Sequence, residues 1–142
     1  MTSRRDPEFV PQRGVGLCGP AALTMMLRHE GIVADVDAVI AACAMSKDGT
    51  SAAELINAAR RFGCGAAAYQ AAVEDLPLFP PPVILYCCQP GHFVVLIETS
   101  PTGIVILDPA RGRNELRWRE VSRTFRGVVI AVTRDAGGAE VR

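Results

Sequence analysis

At 142 residues the chain is the size of one domain, with no room for a second core. Fifteen Lys and Arg balance fifteen Asp and Glu, so there is no basic field for nucleic acid and no acidic tail of the disordered kind. The longest apolar runs, Val83 to Cys88 and Phe93 to Ile97, fall far short of the about 20 residues that cross a membrane. Met1 to Val10 is polar, with Arg4, Arg5, Asp6 and Glu8, and has no apolar signal-peptide core, so a cytosolic chain is expected. Met1 to Gly16 reads as an extended lead-in with a short strand around Phe9 and Val10. From Gly19 to Glu30, Ala21, Ala22, Met25 and Met26 recur at helical spacing, with Pro20 in the first turn and Gly31 as the stop. A second helix is predicted from Asp35 as N-cap through Val36 to about Ala44, and Met45 to Gly49 then reads as a turn. A third begins at Thr50 or Ser51, since Ser51 with Glu54 fits a capping box, and runs to Gly63.

Beyond Gly65 the texture changes. Ala66 to Gln70 reads as a strand, Leu76 to Pro82 as a proline-rich connection, and four β-runs follow: Val83–Cys88, His92–Ile97, Gly103–Leu107 and Gly127–Val132. Gln89-Pro90-Gly91 and Ser100 to Gly103 are hairpin-length links. Helices first and antiparallel strands after them describe an α+β domain. The domain is expected to occupy residues 1–133. Residues 134–142 have no periodicity and read as a flexible tail or the start of a linker.

Five cysteines, Cys18, Cys43, Cys64, Cys87 and Cys88, form no CxxC pair and are expected as free thiols. Cys18 stands at the mouth of the first helix, where unpaired N–H groups and the macrodipole can lower a thiol pKa from ~8.5 to roughly 3.5–7.5. The other four read as small buried hydrophobes. A metal site from Cys87, Cys88 and His92 is disfavoured, since adjacent strand residues point to opposite faces. Of two histidines, His29 lies about 11 residues or ~16 Å along the helix from Cys18, out of reach. His92 remains. It opens a β-run after a tight link, either as a general base or as an exposed turn histidine. Asp108 ends the next run. If the two runs pair, it comes to the same sheet edge as His92 and can orient the imidazole, while Asp-Pro also starts turns. The Cys18 N–H and the Gln12 side-chain amide are candidate oxyanion donors.

Together, Gln12, Cys18-Gly19-Pro20-Ala21-Ala22-Leu23, Asp48-Gly49-Thr50-Ser51, Gly91-His92-Phe93-Val94-Val95-Leu96, Asp108-Pro109-Ala110-Arg111-Gly112 and Phe125-Arg126-Gly127-Val128 resemble the bacteriocin-processing, double-glycine leader cysteine peptidases. The resemblance covers roughly residues 8–133 and implies a papain-like fold without cofactor or metal. It implies Cys18 as nucleophile, His92 as base, Asp108 as orienting carboxylate and Gln12 as oxyanion-hole side chain. It also implies a precursor peptide partner, with an amphipathic leader cut after Gly-Gly or Gly-Ala, and attachment to, or cooperation with, the membrane and ATPase domains of an ABC exporter at the cytoplasmic face. Exposed members of Val73 to Phe79, and Met45, are candidates for the leader groove.

One position departs from the family: Leu17 stands where Asp, Asn or Glu usually precedes the nucleophile. Its lack of a capping oxygen is expected to cost about 1 kcal/mol and to leave the thiolate less hydrogen-bonded. Two other readings use the same residues. One is a non-cleaving domain that binds export cargo, which need not keep Cys18, His92 and Asp108 together; the other is a papain-fold amidase or acyl transferase.

Overall fold

The computed structural model describes residues 6–46, 49–87 and 92–134. Three helices come first: α1 (Cys18–His29), α2 (Val36–Ala42) and α3 (Ala52–Arg61). Six strands follow: β1 (Cys64–Gln70), β2 (Val83–Cys87), β3 (His92–Thr99), β4 (Gly103–Asp108), β5 (Gly112–Arg117) and β6 (Phe125–Arg134). A 3₁₀ helix spans Val73–Leu78, and α4 (Trp118–Thr124) precedes β6.

The strands form one antiparallel sheet in the order β1-β6-β2-β3-β4-β5. The last strand thus inserts between the first two. Every residue of α1 from Cys18 to Leu27 is buried, so this is a central helix rather than a half-exposed one. It packs on β3 and β2 and against the other two N-terminal helices. Phe93, Val95 and Ile97 of β3, Val105 and Leu107 of β4, and Ile130 and Val132 of β6 join that helical core. The alternate residues Val94, Leu96, Ile104, Ile106 and Val129 form a second core with Leu76 and Val121. Because β3 and β4 are covered on both faces, they read as unbroken apolar runs.

Asp35 and Ser51 cap α2 and α3 as predicted: Ala38 N–H donates to Asp35 Oδ2 at 3.3 Å and Glu54 N–H to Ser51 Oγ at 3.1 Å. Boundaries moved in several places. α2 ends at Ala42, β1 begins two residues earlier, and β3 reaches Thr99. Phe9 and Val10 form no strand, although Val10 is buried. Thr133 and Arg134 belong to β6, paired with Gly65 and Cys64, so strand pairing runs into the stretch read as a tail.

Sequence reading missed β5, α4 and the 3₁₀ turn. β5 is an edge strand whose Arg113, Asn114 and Glu115 are exposed, and in α4 only Val121 is buried. Neither presents an apolar period. Their anchors are polar: Arg117 N–H donates to Glu120 Oε1 at 2.8 Å, and Trp118 Nε1–H to the Ser100 carbonyl at 2.9 Å. Asp48, Cys88, the Gln89-Pro90-Gly91 link and residues 135–142 lie outside the described residues.

Candidate active site

The β3–β4 ladder places two of the predicted residues. Val95 pairs with Leu107 and Leu96 with Ile106, and continuing that register sets Asp108 across from Val94, one diagonal step from His92. His92 Nε2 meets Asp108 Oδ1 at 2.7 Å. Asp108 is 3% exposed, and its Oδ1 also accepts the Ala110 N–H at 2.9 Å. Arg111 Nη1 stands 3.9 Å from Oδ2 at the exposed rim. A carboxylate buried this deeply persists only with such partners.

With Nε2 given to Asp108, the ring leaves Nδ1 for Cys18. The Cys18 Sγ, 7% exposed, accepts the Phe93 N–H at 3.4 Å. Burial pushes its thiol pKa up, but hydrogen bonding and charge from His92, with the Phe93 and Gly19 N–H groups, outweigh that and hold it below the ordinary value. The His92 pKa is raised to about 9, mainly by the hydrogen bond to Cys18; desolvation opposes this, and the bond to Asp108 adds to it. The two shifts favour one arrangement, a thiolate beside an imidazolium.

Gly19 shows why α1 can start here. A Cβ at that position would come within 2.6 Å of Thr50 Cγ2 and 3.4 Å of Phe93 Cδ2, so glycine lets β3 and the entry to α3 close around the helix mouth. The preceding loop is held similarly, Gly16 packing backbone to backbone against Gly49 with both at positive φ.

Gln12 is fixed from two sides. Its backbone N–H donates to the Pro109 carbonyl at 3.0 Å, tying the lead-in to the Asp108 turn. Its side-chain Nε2 donates to the Gly14 carbonyl at 2.9 Å, which leaves the amide its second N–H, while Oε1 is buried without a hydrogen-bond partner. His29 sits at the far end of α1, as expected.

Residues 7–137 match the Peptidase C39 family. The chain belongs to the Peptidase C39 family, a family of cysteine peptidases. The C39 domain is 31% identical over 132 residues to the probable microcin-H47 secretion/processing ATP-binding protein MchF of Escherichia coli; the match covers 93% of this chain and 19% of that protein. The chain therefore spans about a fifth of that relative's length. A 29% identical uncharacterized protein of Methanothermobacter marburgensis is matched over 92% of this chain and 91% of its own. Among solved structures, a double glycine motif protease from an AMS/PCAT transporter, in complex with the leader peptide, superposes with a TM-score of 0.86 at 29% identity, covering 92% of this chain and 94% of that one. The fold, helices on a six-stranded antiparallel sheet, is the papain-like fold of C39 domains.

Within this C39 domain, sequence reading missed the Phe93 and Gly19 N–H donors. Backbone donors carry no side-chain signature, though Phe93 follows directly on His92. Leu17 is the N-cap of α1 and makes no side-chain cap bond, as expected. The 73–79 segment is only partly available as a groove: Leu76 is fully buried, Leu78 is exposed, and Phe79 packs on Tyr69. A cavity of about 770 Å³ lined by Val73, Pro77, Pro101 and Trp118 lies beside that segment at the β3–β4 turn, the end of the strands opposite His92 and Asp108. Among the described residues, no helix is long and apolar enough to cross a membrane.

Proposed function

We propose that this chain is the peptidase domain that removes the leader from a bacteriocin or RiPP-type precursor peptide, cutting after Gly-Gly or Gly-Ala in step with export. The observation that carries the reading is the chain of contacts Cys18, His92 and Asp108, anchored by the 2.7 Å His92–Asp108 bond. The solved relative holding a leader peptide supports the substrate class, and MchF, named for secretion and processing, supports the coupling to export. The membrane and ATPase domains of an ABC exporter are the proposed partners. The cytoplasm, or the cytoplasmic face of the membrane, is the proposed place.

His92 Nδ1 takes the Sγ proton of Cys18, giving thiolate and imidazolium. The thiolate attacks the carbonyl carbon of the second glycine, and the oxyanion that forms is met by the Cys18 N–H and the free Gln12 Nε2–H. The imidazolium then protonates the leaving amine, the C–N bond breaks, and the mature peptide departs. Water, deprotonated by His92, attacks the thioester. The leader leaves with a new carboxylate, and the proton returns to the Cys18–His92 pair. Throughout, Asp108 holds the ring so that Nδ1 faces sulfur. Two small residues before the scissile bond suit a cleft that excludes side chains.

The test is incubation with a precursor bearing a Gly-Gly junction, read by mass spectrometry. Wild type should release leader and core at that junction. Cleavage by Cys18→Ala, or leader binding without turnover by wild type, sinks the proposal.

A further inference from the structure

The turn that follows Asp108 is held in place by its own backbone. Asp108 Oδ1 accepts the Ala110 N–H at 2.9 Å, and the Asp108 carbonyl accepts the Arg111 N–H at 3.0 Å. Gly112, at positive φ, closes the turn opposite Asp108 where β4 meets β5, and the Pro109 ring fixes a backbone dihedral. The Pro109 carbonyl accepts the Gln12 N–H at 3.0 Å. The turn therefore bridges the two groups that flank a scissile carbonyl, the base through Asp108 and the proposed oxyanion donor through Gln12. Arg111 is the charge it carries. Its guanidinium Nη1 stands 3.9 Å from Asp108 Oδ2, yet the side chain is 76% exposed against 5% for Asp108. A guanidinium has five N–H donors, so donors remain for a group lying in the cleft. Asp108 is already bonded to His92, which leaves the rim positive at Arg111, whereas Arg13, beside Gln12, is answered by Asp37 at 3.6 Å.

The proposed cut leaves few side chains to read beside it. Gly-Gly or Gly-Ala presents only hydrogen or a methyl group, so any charge next to the scissile bond belongs to the mature peptide. Arg111 touches Asp108, and Asp108 touches the imidazole that protonates the leaving amine. An extended peptide advances about 3.3–3.6 Å per residue, so the first residue after the cut is the one that comes within reach of the guanidinium. We propose that Arg111 is a specificity-determining residue that pairs with a carboxylate side chain on the first residue of the mature peptide. Precursors whose core begins with Asp or Glu are then the favoured substrates. This rests on the reading of cleavage after a double glycine. The planar fork of an arginine matches a carboxylate in two parallel bonds, whereas a Lys or Arg at that substrate position meets like charge. Because the pair is exposed, the discrimination is modest and is screened by salt.

The experiment mixes three precursors that differ only in the first residue after Gly-Gly, Asp, Asn or Lys, and follows their competition for the whole chain by mass spectrometry. Competition gives ratios of kcat/KM within one enzyme, so a variant that also slows the chemistry through Asp108 is compared with itself. At low salt, wild type should prefer Asp over Asn about threefold and Asp over Lys about tenfold, attraction and repulsion each having the size seen for exposed pairs. Arg111→Gln should bring all three within about twofold. Arg111→Lys should keep the order, and Arg111→Glu should place Lys ahead of Asp. At about 1 M salt, where the Debye length is ~3 Å, the wild-type preference should shrink toward none.

Equal ratios in wild type and Arg111→Gln overturn the inference, as does a wild type that cuts all three precursors alike. So does a charge preference that follows Arg111 only when Asp and Lys are moved to the residue before Gly-Gly, since the turn would then face the leader. The two failures are separable. A wild type that cuts none of the precursors removes the peptidase reading and the inference with it, whereas cutting without charge preference removes only the role of Arg111.

Discussion

Cys18 and Cys43 are buried almost equally, 7% and 6% exposed, and yet their thiols are driven in opposite directions. Cys18 is the first residue of α1; Cys43 is the residue that closes α2. At the N-terminal end of α1 the helix dipole favours an anion, the Phe93 N–H of β3 donates to the sulfur at 3.4 Å, and His92 adds a cation. Cys43 stands at the C-terminal end of α2, and that end of a helix dipole is the negative one, a setting hostile to an anion. Burial pushes the Cys43 pKa up to about 11, with the Glu54 charge adding to it. For Cys18 the same desolvation is overcome by His92, Phe93 and Gly19. The acidity of the two thiols therefore follows helix polarity and neighbouring groups, not depth.

The comparison breaks most sharply at the sulfurs themselves. Cys18→Ala should lower kcat/KM on a Gly-Gly precursor by at least about 10⁴-fold, whereas Cys43→Ala should keep it within about twofold. Cys43→Ala should instead cost about 1 kcal/mol in chemical denaturation, from the small cavity it leaves. If the two variants lost activity alike, the assignment of chemistry to the end of α1 would be wrong.

Next comes Asp108→Asn, which keeps the shape but removes the charge behind His92. The ion pair is still supported by Cys18, so a loss of about 10²-fold in kcat is expected, less than the ~10⁴ seen when a serine enzyme loses this carboxylate. KM should hardly move. A loss carried in KM alone would make Asp108 a turn former only.

Acidity itself gives a third handle. Cys18 ionises below the ordinary thiol range, and His92 loses its proton at about 9. The pair is complete only between those limits, so kcat/KM should rise as Cys18 deprotonates and fall again as pH passes about 9. The linkage has the same sign: a His pKa raised above its unfolded value stabilises the fold fully below about 6.5, and this contribution is lost as pH rises through about 9. An alkaline limb near an ordinary histidine pKa would show that the contact with Cys18 is not made in solution.

Much of this contrast was legible in the sequence because its carriers are sharp local signals. Gly-Leu-Cys-Gly-Pro at the start of an apolar period marks a helix mouth, and two apolar runs joined by Ser-Pro-Thr-Gly return Asp108 to His92. Ser51 and Asp35 announced their helices by the chemistry of their own caps. What stayed hidden was carried by backbone or by exposed polar residues. β5 and α4 bury too few side chains to show a period, and the place of β6 between β1 and β2 follows from long-range pairing that no local window holds. The Gly19 and Phe93 donors depend on where an N–H points, which residue type does not encode.

The smallest effect probes the other thiol. Glu54 is the second cause of the raised Cys43 pKa, after burial, so Glu54→Gln should lower it while leaving it well above an ordinary thiol. The shift should be at most about half a unit, because Glu54 is partly exposed and its charge is screened. Gln at this third helical position keeps the geometry, and Ser51 Oγ still accepts the backbone N–H there. Thiolate ultraviolet absorbance, taken as the difference between Cys18→Ala and Cys18→Ala/Cys43→Ala, isolates this one group with and without Glu54→Gln. A thiol kept neutral by the fold costs stability once pH exceeds its unfolded pKa, since only the unfolded chain ionises freely. Stability should therefore decline between about 9 and about 11, and slightly less steeply in Glu54→Gln. A full return to ordinary acidity on removing Glu54 would mean that charge, not burial at a helix C-terminus, keeps Cys43 inert, and the contrast with Cys18 would then rest on neighbouring side chains alone.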